Sequence, residues 1–249
     1  MPRHRDREYK PLLFDTTLRN PERIKSFLSI IKKYENTFLN NAVIDLIVKD
    51  VLKAKIYTTK YQVNISKYKR ILNNENAEFS DKDIQDIVDN TSVDHQEGGF
   101  DRGWPSRFFT WFKFIRALGF VYFALNEKIK ISETGNLLIK ALEDGDGELE
   151  NLVFRNAMAR FHRSSPYIFS ANENKPFPFL VASILKLKEL TNNPNAGIYR
   201  FEIPYFLCWK NSDVDEIVNY ILEQRNRLGL LPSDESIYEN AKQILNITP

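Results

Sequence analysis

The chain is poor in the residues that usually announce chemistry. It has a single cysteine, Cys208 in the apolar run FLCW, so no internal disulfide is available, and a buried thiol in a reducing compartment is the expectation. The three histidines, His4, His95 and His162, are scattered without metal-ligand spacing. No apolar run approaches the roughly 20 residues needed to span a bilayer, and PRHRDREYK at the N-terminus lacks the apolar stretch of a signal peptide. These absences predict a soluble, cytoplasmic protein with no membrane contact. There is also no phosphate-binding Gly-rich loop, no G-x-S-x-G elbow and no H-E-x-x-H helix. A formal net charge of +2 is too small for a chain coated in basic charge, so any polyanion-binding surface must come from local clustering.

What is present is a folding chain of 249 residues, 43% hydrophobic, enough for one large core or two modest ones. Helical spacing of Ile24, Phe27, Leu28 and Ile31 predicts a helix from Pro21 to about Tyr34, with Asn20 as its cap. Val43, Ile44, Ile47, Val48, Val51 and Leu52 form a broader stripe over 41–54, suited to burial between helices. KAKIYTTKYQVNISKYKR follows as a basic stretch without an acid. SDKDIQDIVDN then predicts a short acidic helix capped by Ser80, followed by a loop.

The segment GWPSRFFTWFKFIRALGF, placed on a helix over 105–118, sends Phe108, Trp111, Phe112, Ile115 and Leu118 to one side. Ser106, Thr110, Lys113 and Ala117 fall opposite, flanked by Arg107 and Arg116. A small, basic outer strip of this kind suits a DNA major groove, and a solvated basic face has the same pattern. Next come a β-run over Phe120–Leu125, a turn at Asn126 and Glu127, and a return strand, Lys128–Ile131, whose lysines and isoleucines alternate. Ser132 is placed to cap a further helix to Leu142. Helix, ribbon, helix predicts a fold that is mainly α with a small β-ribbon and winged-helix-like DNA-binding subdomains.

EDGDGELE at 143–150 marks the expected boundary between residues 1–145, with the winged helix at about 80–142, and a helical, helix-turn-helix-like subdomain at 146–249. Helices are expected near 150–163, 178–191, 200–208, 213–228 and 234–246. Asp215, Glu216 and Glu223 would make the outer face of the fourth repel phosphate, so Tyr199 and Arg200 are the better contacts there. Arg3, Arg5, Arg7 and Lys10 could form a groove-following arm or a plain tail.

Two E-x-K triplets, Glu8-Tyr9-Lys10 and Glu173-Asn174-Lys175, are the only traces of a metal-dependent nuclease motif. Asp6 is too close upstream of the first, and the second sits in a polar loop ended by Pro176.

PLLFDTTLRNPERIKSFL at 11–28, GFDRGWPSRFFTWFKFIRALGFVYF at 99–123, IKISETGNLLI at 129–139 and IYRFEIPYFLCW at 198–209 together resemble the AlwI-like family of type IIS restriction endonucleases and the related nicking endonucleases. The resemblance implies a recognition half that binds an asymmetric duplex site as a monomer. It also implies a separate nuclease domain or subunit needing Mg²⁺. The chain reaches Pro249 without a credible catalytic motif, so the expectation is a recognition half with no catalytic residue, metal or cofactor of its own.

Helix geometry puts Arg102, Ser106, Arg107, Thr110 and Lys113 near bases; Arg19, Arg116, Lys128, Lys130, Tyr199 and Arg200 are the candidates for phosphates, while Trp104 and Pro105 fix the approach of the helix. A dimeric winged-helix transcription regulator with a palindromic target, a complete small nuclease using the Glu173 triplet, and an interaction module with a merely solvated basic face remain open alternatives.

Overall fold

The computed structural model of the chain describes residues 21–93, 103–162, 174–229 and 232–245. The chain divides into two compact units at 154/155, inside a helix. The sequence had suggested 145/146.

In the first unit, α1 (Pro21–Lys32) and α2 (Asn41–Lys53) match their apolar stripes. Asn40 caps α2 by accepting from the Val43 N–H, and all six stripe residues of α2 are buried. The basic stretch that follows folds into two short helices, α3 (Lys60–Asn64) and α4 (Ser66–Leu72). Thr59 and Gln62 start α3 with a reciprocal capping box. The acidic helix α5 (Asp81–Asn90) begins with a second box, Ser80 with Asp83.

The central element is α6 (Trp104–Ala117), entered through Gly103 at φ 99°, a conformation that favours glycine. Its rings build the core. Phe27 lies edge-on to Phe112 at 5.2 Å, Trp111 meets Tyr57 at 4.8 Å, and Phe108 meets Phe123 at 5.3 Å.

Two strands follow, β1 (Val121–Tyr122) and β2 (Lys130–Ile131), paired antiparallel. They are shorter than the β-runs expected, but backbone pairing continues on the far side of the return segment. The Asn36 N–H donates to the Ile129 carbonyl at 2.8 Å, the Ile129 N–H to Thr37 at 3.0 Å, and the Leu39 N–H to Glu127 at 2.9 Å, around a Phe38–Lys128 bridge. Residues 128–131 are thus the middle of three extended segments. Helix α7 (Glu133–Asp144) starts at Ser132, which caps the Gly135 N–H, and ends at Gly145 in the left-handed region. Helix α8 (Gly147–Arg160) runs across the division.

The second unit packs α9 (Pro176–Thr191), a 3-10 turn at Arg200–Glu202, α10 (Ile203–Cys208), α11 (Val214–Leu228) and α12 (Asp234–Leu245) around Phe179, Leu187, Tyr205, Phe206, Trp209, Ile217, Val218 and Ile221. Glu202, 1% exposed, receives the Arg225 guanidinium at 2.7 and 2.8 Å. That pairing compensates the buried charge of Glu202. Cys208 is buried and forms no disulfide. Among the described residues, no helix is long and apolar enough to cross a membrane.

Candidate nucleic-acid interface

The alternation read from the return strand is realised. Lys128 and Lys130 are exposed, while Ile129 is fully buried and Ile131 nearly so. The three-segment ladder fixes that orientation, because one residue of register shift would turn both lysines inward. Lys128 lies 5.5 Å from the Phe38 ring, itself 56% exposed. Asn126 makes the tight turn with φ 62°, and Tyr122 donates its hydroxyl to Glu127 at 2.5 Å, closing the hairpin.

Helix α6 corrects the outward strip expected from its helical wheel. Ser106 and Thr110, placed outside by their angle on the helix, are 0% and 6% exposed. The Thr110 hydroxyl donates to the Ser106 carbonyl at 3.0 Å, so it is satisfied by its own helix and needs no water. Phe109 is also buried. The accessible part of the helix shrinks to Arg107, Lys113, Phe114, Arg116 and Ala117, all half-buried, with Trp104 and Pro105 at its start.

The two arginines are held at opposite ends of α6, about 13 Å apart along its axis. The Arg107 guanidinium lies 5.6 Å from the Tyr57 ring centre. Arg116 donates from Nη1 to the Phe123 carbonyl at 3.3 Å and lies 4.9 Å from that ring, which ties it to the hairpin. Trp104 donates from its indole N–H to the Val88 carbonyl at 3.1 Å, and the Gly103 N–H to Val93 at 3.0 Å. Both bonds anchor the start of α6 to α5 and the residues that follow it.

A feature absent from the sequence reading adjoins this end of α6. Tyr57, Lys60, Tyr61, Asn64, Thr91 and Arg107 line a cleft of about 680 Å³. The lining residue Tyr61 is held by Asp86, which accepts from the Tyr61 hydroxyl at 3.1 Å and the Tyr68 hydroxyl at 2.5 Å. Burial and then that bond raise the Tyr61 pKa, and for Tyr68 the bond to Asp86 is the larger cause, so both phenols keep their protons. The pattern T-T-K-Y-Q in TTKYQVN, a threonine with glutamine three residues on, is the capping-box cue that could have exposed α3 and with it this cleft.

In the second unit Tyr199 and Arg200 are both exposed, as a surface contact requires. Tyr199 stacks on Phe201 at 5.4 Å, and Arg225 lies 4.6 Å from its ring, so the tyrosine presents an edge fixed on two sides. Arg19 and Arg102 lie outside the described residues, as do Arg3, Arg5, Arg7, Lys10, Asn20, Asp6, Glu8, His4, His95 and Glu173.

Of the second E-x-K triplet, Asn174 and Lys175 are described. The Asn174 amide donates to the Trp209 and Asn211 carbonyls at 3.3 and 3.1 Å, and its oxygen accepts from the Ser212 hydroxyl at 2.7 Å. That side chain is occupied in closing the loop before α11, and Lys175 sits at the N-terminal boundary of α9. Among the described residues, no group of three or more His, Cys, Asp or Glu could hold a metal ion.

Comparison with curated proteins and with solved structures gave no match. A family model described as AlwI restriction endonuclease matches residues 116–247, more than half of the chain. The match runs from the last turn of α6 to the end of α12. It includes IKISETGNLLI and IYRFEIPYFLCW, whereas PLLFDTTLRNPERIKSFL precedes it. This chain belongs to the AlwI restriction endonuclease family.

Proposed function

We propose that the chain provides sequence-specific recognition of double-stranded DNA for a type IIS restriction or nicking endonuclease, through a winged-helix-like module that ends in the β1–β2 hairpin. Hydrolysis then belongs to a Mg²⁺-dependent nuclease domain or subunit. The observation that carries this reading is the three-segment ladder. Its middle segment, 128–131, follows α6 and pairs with β1 on one side and with residues 36–39 on the other, while both lysines face outward. A short extended segment between the first two helices, returning to pair with the second strand of a hairpin, is the strand order of a winged helix.

In this reading Lys128 and Lys130 contact phosphates from the wing, and Arg107 and Lys113 approach base edges from α6. Arg116 acts through Phe123, fixing the angle between helix and wing, and its phosphate contact is secondary. Ser106 and Thr110 set the helix in place from within. Arg102 and Arg19 keep the roles expected from sequence, and Tyr199 and Arg200 add phosphate contacts from the second unit. The target is asymmetric, so one copy of the chain suffices.

Selection of bound duplexes from a randomised pool tests the reading. One non-palindromic motif should emerge, bound by a single copy. The double variant Lys128→Gln, Lys130→Gln should weaken binding about tenfold without changing the motif. An unenriched pool would sink the proposal, and a palindromic motif bound by a dimer would favour a transcription regulator.

A further inference from the structure

We infer that the cleft between α3 and the start of α6 is a nucleotide seat, which takes one nucleoside monophosphate unit in addition to the groove contacts of the helix and wing. The inference deepens the DNA reading and rests on it for the source of the ligand. The cleft's volume, about 680 Å³, lies in the range of small-molecule sites and exceeds what a bare phosphate needs.

Its chemistry has two parts. Lys60 is exposed, and neither it nor Arg107 makes an ion pair with a described residue, so two cations converge where no carboxylate lines the wall. Behind the lining, Asp86 is occupied by the phenols of Tyr61 and Tyr68 and by the Asn90 amide at 3.1 Å. An anion therefore meets net positive charge there. Tyr57 and Tyr61 supply flat apolar surface for a base or sugar, and the exposed Asn64 amide can donate or accept at a base edge. The Thr91 hydroxyl is buried without a hydrogen-bond partner, an orphan of the kind that a ligand or water completes.

The ligand is defined by that chemistry: a phosphate for Lys60, with the charge of Arg107 adding to the attraction, and a ring system against the tyrosines. A nucleotide displaced from a DNA strand and a free nucleotide share it. The displaced nucleotide fits the family, because the cleft opens beside Arg107, one of the two α6 residues proposed at base edges.

The test uses the full chain, with dAMP and inorganic phosphate as small probes followed by NMR line broadening. A duplex of the selected sequence, fully paired or with one unpaired nucleotide, is followed by fluorescence anisotropy. We expect dAMP to bind more tightly than phosphate, and Lys60→Gln and Tyr57→Ala each to weaken dAMP about tenfold. Lys60 is exposed and makes no described bond, so its variant should melt as the parent does. The Lys128→Gln, Lys130→Gln variant should leave dAMP binding unchanged, which separates failure of the cleft from failure of the wing.

If Lys60→Gln weakens the duplex with an unpaired nucleotide more than the paired one, the source is the DNA strand. If only dAMP responds, the seat serves a free nucleotide. Equal binding of phosphate and dAMP, or dAMP binding indifferent to both variants, overturns the inference.

Discussion

Asp83 is a carboxylate 7% exposed, and its surroundings explain why it stays charged. Lys67 is its ion-pair partner, and the Ser80 backbone N–H and hydroxyl donate to it at 3.2 and 2.7 Å. These bonds, the lysine's first, hold its pKa below the ordinary 3.8 despite burial pulling the other way. A carboxyl depressed in the folded chain stabilises it above the unfolded value, and that contribution disappears as pH falls through the folded value. The stabilisation from Asp83 is therefore full at neutral pH and lost only below 3.8. Asp83→Asn should lower the melting temperature at about pH 7 and about pH 5, and the gap to the parent should close towards about pH 3. Thermal melts followed by circular dichroism at the three pH values check this. A gap of constant size would mean that the capping geometry, not the charge, is what counts.

At the scale of elements, the hairpin and α7 meet so closely that one position admits no side chain. A Cβ on Gly135 would lie 2.2 Å from the Phe120 carbonyl oxygen and 2.9 Å from an Ile131 methyl. Alanine ordinarily helps a helix, so a loss here isolates the contact. Gly135→Ala should cost about 1–3 kcal/mol in urea denaturation and loosen the wing. A neutral or stabilising result would show that α7 can shift away from β1.

Helices and caps with long periodic stripes were legible in the sequence: α1, α2, α5 and α7 begin or end within a few residues of where spacing and capping residues put them. So was the alternation of Lys128 to Ile131. The outer face of α6 was not. A helical wheel gives only the angle of each residue, not how many sides of the helix are covered by neighbours, and a threonine that bonds to its own helix can be buried at little cost. The short helices α3 and α4 hold too few residues to show a period, so the cleft that α3 helps to form could not be read from spacing. The strand order around residues 128–131 was out of reach for another reason: the pairing of Phe38 with Lys128 joins residues far apart in the chain.

At the scale of the whole molecule the charge is nearly balanced, at +2, so attraction to DNA has to come from where cations are presented. Each lysine that neutralises a phosphate releases counterions, and the logarithm of the binding constant falls with the logarithm of salt with a slope of about 0.9 per contact on duplex DNA. If Lys128 and Lys130 both touch phosphates, replacing them with glutamine should reduce the magnitude of that slope by about 1.8. Arg107→Gln should behave differently. A residue at a base edge contributes discrimination more than counterion release, so this variant should lose preference for the selected motif by about tenfold or more with a smaller change in slope. Anisotropy titrations of parent and variants at several salt concentrations, on the selected duplex and on a scrambled one, separate the two effects. A slope unchanged by the paired lysine substitutions would place the wing off the DNA, and the contact surface would then have to be sought around Tyr199 and Arg200 in the second unit.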